Sequence, residues 1–251
     1  KSNRKRARNS VIQPSTIGIS VDHTFSIEND VLKLDFSSLT NSLYQITNKK
    51  TGMTTSLKVD LRFYSGYVGN NQGGQNQASG AYIFRPLEKT AWSFPTVLTR
   101  IMKGQHVQEV HQQFDTWATL VTRLYNSSSS SENRNSEVVE FEWTVGPIPL
   151  TGQTGHEVII NYETDLNNQG VCYTDSNGRQ FIERVLNYRP TWKFQNTEPV
   201  AGNYNPINSA IYIRDSKRDV QATILVDRAE GGTSLRDGQI EVMLHRRLGV
   251  D

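Results

Sequence analysis

The sequence holds a single cysteine, Cys172, so no disulfide can form within it, and its thiol could pair only with another chain. It has no long apolar run, and with a mean hydropathy of −0.56 no membrane-spanning helix is expected. It also lacks an excess of either charge: 27 Lys and Arg stand against 25 Asp and Glu, a net +2. That total hides an asymmetry. Lys1, Arg4, Lys5, Arg6 and Arg8 fall in the first eight positions with no acid among them, so over the rest 22 basic residues face 25 acidic ones, a net of −3. Nucleic-acid binders spread positive charge over a folded face, so no nucleic-acid partner is expected. The chain opens on Lys1 with no apolar stretch behind it, which reads as a mature product or a fragment without a signal peptide.

What the sequence does hold is β structure. Gly 18 and Pro 8 punctuate most of it and leave few windows for long helices. Period-two alternation, with successive side chains on opposite faces, marks residues 31–36, 139–145, 211–213, 220–226 and 240–245 as strands. Asn177-Gly178, Asp237-Gly238 and Gly231-Gly232 read as turns between them. Between Gly104 and Gly146 neither Gly nor Pro occurs, and Val107, Val110, Phe114, Trp117, Val121 and Leu124 recur at helical spacing. The same residues also parse as two strands, 107–114 and 117–125, and periodicity leaves both readings open. Residues 1–20 read as a basic, polar arm, and residues 69–77 as a loop too polar to pack. Residues 126–136 read as an exposed loop.

Catalytic signatures are sparse. Glu140 and Glu142 sit two apart on one strand face, about 6.6 Å between carboxyls, near the spacing of paired glycosidase carboxylates. Alternating acids on a strand are more often its solvent face. The five histidines show no zinc-ligand spacing, and no nucleophile elbow or phosphate loop occurs, so the catalytic and metal residues read as none. Asn126-Ser127-Ser128 is a glycosylation sequon placed where an acceptor must be, next to a polar tract. A basic arm ahead of a β-rich body also fits a capsid-like jelly roll binding phosphate, the compositional rival.

Longer blocks carry more. SGAYIFRP (79–86), VEFEWTVGPIP (139–149), YTDSNGRQFIER (173–184), NYRPTW (187–192), TEPVAGNY (197–204) and GGTSLRDGQIEVMLHRRL (231–248) stand in one order along residues 25–251. Together they resemble the C-terminal half of the lysosomal or vacuolar, acidic type of α-mannosidase in glycoside hydrolase family 38. The resemblance implies a mainly β fold over residues 21–251. This would be a large antiparallel β-sandwich of the galactose-mutarotase-like super-sandwich kind, cut short at its C-terminal end, with few or no long helices. It also favours strands over 105–125.

The function it implies is that of a non-catalytic portion of a retaining exo-α-mannosidase acting on terminal α-mannose of glycoprotein oligosaccharides. The family's nucleophilic aspartate, its acid and its zinc ligands would lie outside this chain, in a catalytic domain on which the sandwich packs. Zinc would then belong to the complete enzyme. Tyr82, the tyrosine of the SGAY block, matches a family tyrosine that reaches the sugar cavity, where a phenol can wall a ring and bond a hydroxyl; the ordinary alternative is a buried strand tyrosine. The resemblance implies a lysosomal, vacuolar or secreted protein, compatible with a homo-oligomer. A stand-alone carbohydrate-binding or structural β-sandwich is the alternative function.

Overall fold

The computed structural model describes residues 24–94, 98–126, 134–150 and 152–249. Seventeen strands run through them, with three single-turn 3₁₀ segments. They are β1 (Thr24–Glu28), β2 (Leu32–Ser37), β3 (Leu43–Asn48), β4 (Thr54–Ser65), β5 (Trp92–Ser93) and β6 (Leu98–Lys103). β7 (Val107–Asp115), β8 (Ala118–Tyr125), β9 (Glu140–Val145), β10 (His156–Thr164), β11 (Val171–Ser176) and β12 (Gln180–Val185) follow. Then come β13 (Asn205–Ile207), β14 (Ala210–Asp215), β15 (Val220–Leu225), β16 (Glu230–Thr233) and β17 (Gln239–Arg247).

The strands form one large sheet, ordered β1-β2-β3-β4-β10-β17-β16-β13 with β5 added on β4, and two four-stranded sheets, β6-β7-β8-β9 and β12-β11-β14-β15. Every described pairing is antiparallel, as expected for a sandwich. One apolar core joins all three. Leu34, Phe36 and Leu61 of the large sheet meet Leu120 and Leu124 of one small sheet and Ile211 of the other, all fully buried. Each such side chain contributes roughly 1.5–3 kcal/mol, so a one-residue slip of any inner strand would forfeit several of them, which fixes the register.

The helical spacing of 107–124 proves coincidental. β7 and β8 form a hairpin with a register shift near Gln113, and period two sets the burial: Val110, Gln112 and Phe114 point inward, then Ala118, Leu120, Thr122 and Leu124. The Asn177-Gly178 turn joins β11 to β12 with both residues at positive φ, 51° and 68°, the backbone an Asn-Gly hairpin turn requires. Gly231-Gly232, in contrast, is not a turn. Both residues lie in β16, where a Cβ on Gly232 would stand 3.1 Å from Ile207 Cδ1 and one on Gly231 3.3 Å from Met243 Sδ; close packing, not chain reversal, requires them small.

Of the expected exposed loop at 126–136, residues 127–133 lie outside the described residues, and its last residue is not exposed. Ser136 is buried, and its carbonyl accepts the Asn29 amide at 2.9 Å. Cys172 is a core side chain, its thiol pushed up to about 11 by burial, and offers no surface sulfur to another chain. The basic arm at residues 1–20 lies outside the described residues.

Candidate functional site

The large sheet has a second face, and it is polar. Asp60, Arg62 and Tyr64 on β4, Glu157 and Asn161 on β10, and Glu241 on β17 are all buried there. Arg62 donates twice to Asp60, at 3.0 and 3.1 Å, and pairs with Glu163 at 2.8 Å. Charges this deep persist only when paired and hydrogen-bonded. Tyr64 and Tyr204 both donate to Glu241 Oε1, at 2.9 and 2.7 Å, and Gln239 donates to Oε2 at 2.8 Å. Burial pushes both phenols and the Glu241 carboxyl above their usual ranges, so both tyrosines stay protonated donors.

Onto this face folds the segment that carries Tyr82. Gly80 and Ile83 exchange backbone hydrogen bonds at 3.0 and 3.1 Å, leaving Ala81 and Tyr82 as a two-residue tip. Tyr82 is 100% exposed, which excludes the buried strand tyrosine. The tip is nevertheless held firmly from below. Arg246 Nη2 donates to Glu157 Oε1 at 2.7 Å, to Gly80 O at 2.9 Å and to Ile83 O at 3.0 Å. β10 and β17 place Glu157 directly opposite Arg246, so the pair is a product of sheet register. Ser79 Oγ lies 3.1 Å from Glu157 and accepts the Arg85 N–H at 3.2 Å. Burial pushes the Glu157 carboxyl up, against the opposing pull of Arg246 and Ser79.

Two anchors link the turn to neighbouring loops. Phe84 meets Tyr64 and Tyr204 edge-on, with ring centres 5.9 and 5.0 Å away. Arg85 pairs with Glu198 at 3.0 Å, lies 4.5 Å over the Tyr67 ring, and donates to the carbonyls of Gly74, Gln75 and Gln77. The exposed polar loop at 69–77 is therefore held by the Arg85 guanidinium together with Asn71, whose Oδ1 accepts from Gln77 Nε2 at 3.0 Å and from the Ala78 N–H at 2.9 Å. Farther along, Arg189 stacks on Phe194, which meets the exposed Trp192. Sequence reasoning missed the Glu157–Arg246–Ser79 support, whose members are 78 and 89 residues apart; the β10–β17 register pairs Glu157 with Arg246, and the Ser79 N–H bond to Tyr67 O sets Ser79 beside them.

The other candidates stand apart. Glu140 and Glu142 flank Arg123, which donates to both and to Glu109, and Tyr125 donates to Glu140 at 3.1 Å. They are the exposed acids of an ion-pair cluster, not a catalytic pair. Asn126 Nδ2 donates to Gln105 O at 2.8 Å and Gly104 O at 3.3 Å, and its Oδ1 accepts from Gln108. Among the described residues no three His, Cys, Asp or Glu side chains cluster to hold a metal ion, so these residues do not fit a zinc site.

The family model described as Glycosyl hydrolases family 38 C-terminal domain matches residues 27–251. Lysosomal alpha-mannosidase of Bos taurus is 45% identical over 226 residues, covering 90% of this chain and 21% of that protein. The Homo sapiens protein of the same name is 43% identical over 231 residues, with coverage of 90% and 21%. Alpha-mannosidase of Canavalia ensiformis is 41% identical over 226 residues, with coverage of 89% and 22%. The chain thus spans about a fifth of the length of the curated relatives it matches. By a match that extends across nearly all of its residues, the chain belongs to the family of glycosyl hydrolase family 38 C-terminal domains.

Proposed function

We propose that this chain is the non-catalytic β-sandwich portion of a retaining exo-α-mannosidase that removes terminal α-mannose from glycoprotein oligosaccharides in the lysosome or vacuole. Residues 21–251 form the sandwich and residues 1–20 an interdomain arm. The catalytic carboxylates and the zinc, which in the bound state holds sugar hydroxyls, belong to a catalytic domain or subunit outside this chain. The observation that carries the reading is the identity of 36–45% to alpha-mannosidases over about nine-tenths of the chain.

Within that enzyme Tyr82 contributes to the sugar cavity. A fully exposed phenol at the tip of a turn locked to the sheet beneath can project into a cavity on a neighbouring domain without losing its own packing. Its ring walls the sugar and its hydroxyl bonds one sugar hydroxyl. Asn126 carries a glycan: substitution on Nδ2 leaves one N–H, enough to keep the 2.8 Å bond to Gln105.

The partition is tested by purifying the protein from its native source and identifying what copurifies. A catalytic-domain polypeptide should accompany the chain or be continuous with it, and the 251-residue chain alone should not hydrolyse an aryl α-mannoside. Hydrolysis by the isolated chain would refute the partition, and mannose binding by it would favour an independent carbohydrate-binding module.

A further inference from the structure

Both four-stranded sheets pack on the apolar face of the large sheet, yet they do not join. Their edge strands β9 and β15 line one groove of about 880 Å³, floored by Ile46, Leu57, Ile160 and Val242. The inward side chains of these edges are incompletely covered. Phe141 and Trp143 on β9, and Val220, Ala222 and Ile224 on β15, are only half-buried, whereas Leu120 on β8 and Ile211 and Ile213 on β14 are fully buried.

Among the described residues, nothing pairs with the backbone of either edge on the groove side. Gly146 N–H donates to Trp117 O on the β8 side, and Val226 N–H donates to Ser209 O on the β14 side. Backbone N–H groups alternate in direction along an antiparallel strand. The N–H groups of Phe141, Trp143 and Val145, and those of Gln221, Thr223 and Leu225, therefore point away from β8 and β14. Among the described residues no strand pairs with them. The groove also holds an orphan: one Glu230 carboxyl oxygen is buried without a hydrogen-bond partner among the described residues.

The two unmatched edges select an occupant. A small ligand could fill that space and meet Glu230, but it would leave two rows of N–H groups unmatched, a standing liability for any sheet edge. The relatives supply the material for a strand, since about four-fifths of their length lies outside the region this chain matches.

We infer that the groove between β9 and β15 is a strand-acceptor site, into which an extended segment of the family-length polypeptide outside this domain inserts, fusing the two four-stranded sheets into one. The inserted strand bonds to the six outward N–H groups. Its inward side chains are apolar, to cover Ile46, Leu57 and Ile160, and it brings one hydrogen-bond donor to Glu230. This site does not depend on the role of Tyr82 or on catalysis.

Hydrogen exchange resolved to single amides tests it, comparing the protein isolated from its native source with the 251-residue chain alone. The six N–H groups should exchange about a hundredfold or more slowly in the native protein, while the N–H groups of Glu142 and Ala222, paired within their own sheets, change little. Equal, fast exchange in both samples overturns the inference. So does slow exchange in the 251-residue chain that is lost on deleting residues 1–23, which would make the occupant this chain's own arm. Slowing of the six on adding mannose to the 251-residue chain overturns it too, in favour of a sugar groove. Thr223→Pro removes one outward donor without costing a backbone bond, at the loss of only the exposed side-chain bond from Gln221 Nε2 to Thr223 Oγ1. It should leave the melting of the 251-residue chain unchanged and lower protection at Phe141, Trp143 and Gln221 in the native protein; protection unchanged there would also overturn the inference.

Discussion

Replacing Arg246 with methionine strips the Tyr82 turn of its support and isolates a buried charge. The guanidinium makes three contacts of 3.0 Å or less, to Glu157, Gly80 O and Ile83 O, and the Glu157 side chain behind it is 2% exposed. Removing one partner of a buried pair costs about 3–5 kcal/mol. Arg246 is itself 30% exposed and Glu157 can take up a proton, so the lower end, about 3 kcal/mol at neutral pH, applies. In a domain of this size, with 1 kcal/mol worth about 2–4 °C, Tm should fall by roughly 6–12 °C. The pH dependence has a definite sign. Without its cation Glu157 has a folded-state pKa further above its unfolded value, so its penalty is present above that window and relieved as pH falls through it. The loss should therefore be smaller at pH 5 than at pH 7. Adding Glu157→Gln to Arg246→Met should recover more than half of it, because no buried carboxylate then remains unpaired. Circular dichroism melts of the 251-residue chain read all four members of this cycle. A double variant that melts as low as the single one, or a shift below about 2 °C, would refute the reasoning.

Asp175 offers a second test. Burial opposes its ionisation, but the backbone N–H groups of Gly178, Asn208, Ser209 and Ala210, at 2.8–3.0 Å, hold its carboxyl well below the usual carboxylate range. Asp175→Ala should cost about 3 kcal/mol at neutral pH in a denaturant melt, and the difference should shrink as pH falls through the folded-state value. Glu230 behaves oppositely: burial and nearby Asp227 push its carboxyl up to about 7 from 4.5. Stability of the 251-residue chain should rise as pH falls from about 7 towards 4.5, and Glu230→Gln should flatten that rise. Arg85→Ala frees the carbonyls of Gly74, Gln75 and Gln77 and leaves Glu198 unpaired, so limited proteolysis should cut within 69–77 faster.

The period-two strands were legible in the sequence because each buries one face. Phe141 and Trp143 alternate inward with Glu140, Glu142 and Thr144 outward, and β14 and β15 follow the same rule; in β2 and β17 the alternation is one of polarity, since Asp35 and Glu241 are buried on the opposite face from Leu34 and Val242. The 107–124 segment was ambiguous for a specific reason. A bulged hairpin places apolar residues from its two strands at spacings that mimic a helix, and only the pairing of β7 with β8 breaks the tie. Gly231-Gly232 misled because a glycine required by close packing has the same sequence appearance as one required by a turn. Tyr82 was visible through its motif, but its support was not. Ser79, Glu157 and Arg246 are ordinary residues in local context, and they become a unit only when the sheet register sets β10 beside β17 and the loop after β4 folds Ser79 against them.

The central claim, that this sandwich lends Tyr82 to the sugar cavity of an α-mannosidase, is tested most directly by kcat/KM of the native enzyme toward an aryl α-mannoside after Tyr82→Phe and Tyr82→Ala. One lost hydrogen bond of about 0.5–1.5 kcal/mol should lower kcat/KM roughly two- to tenfold for Tyr82→Phe. Loss of the ring as well should lower it further for Tyr82→Ala, by about tenfold to a hundredfold. Because Tyr82 is 100% exposed, Tm should not change in the isolated chain. Wild-type kcat/KM in both variants would contradict the account.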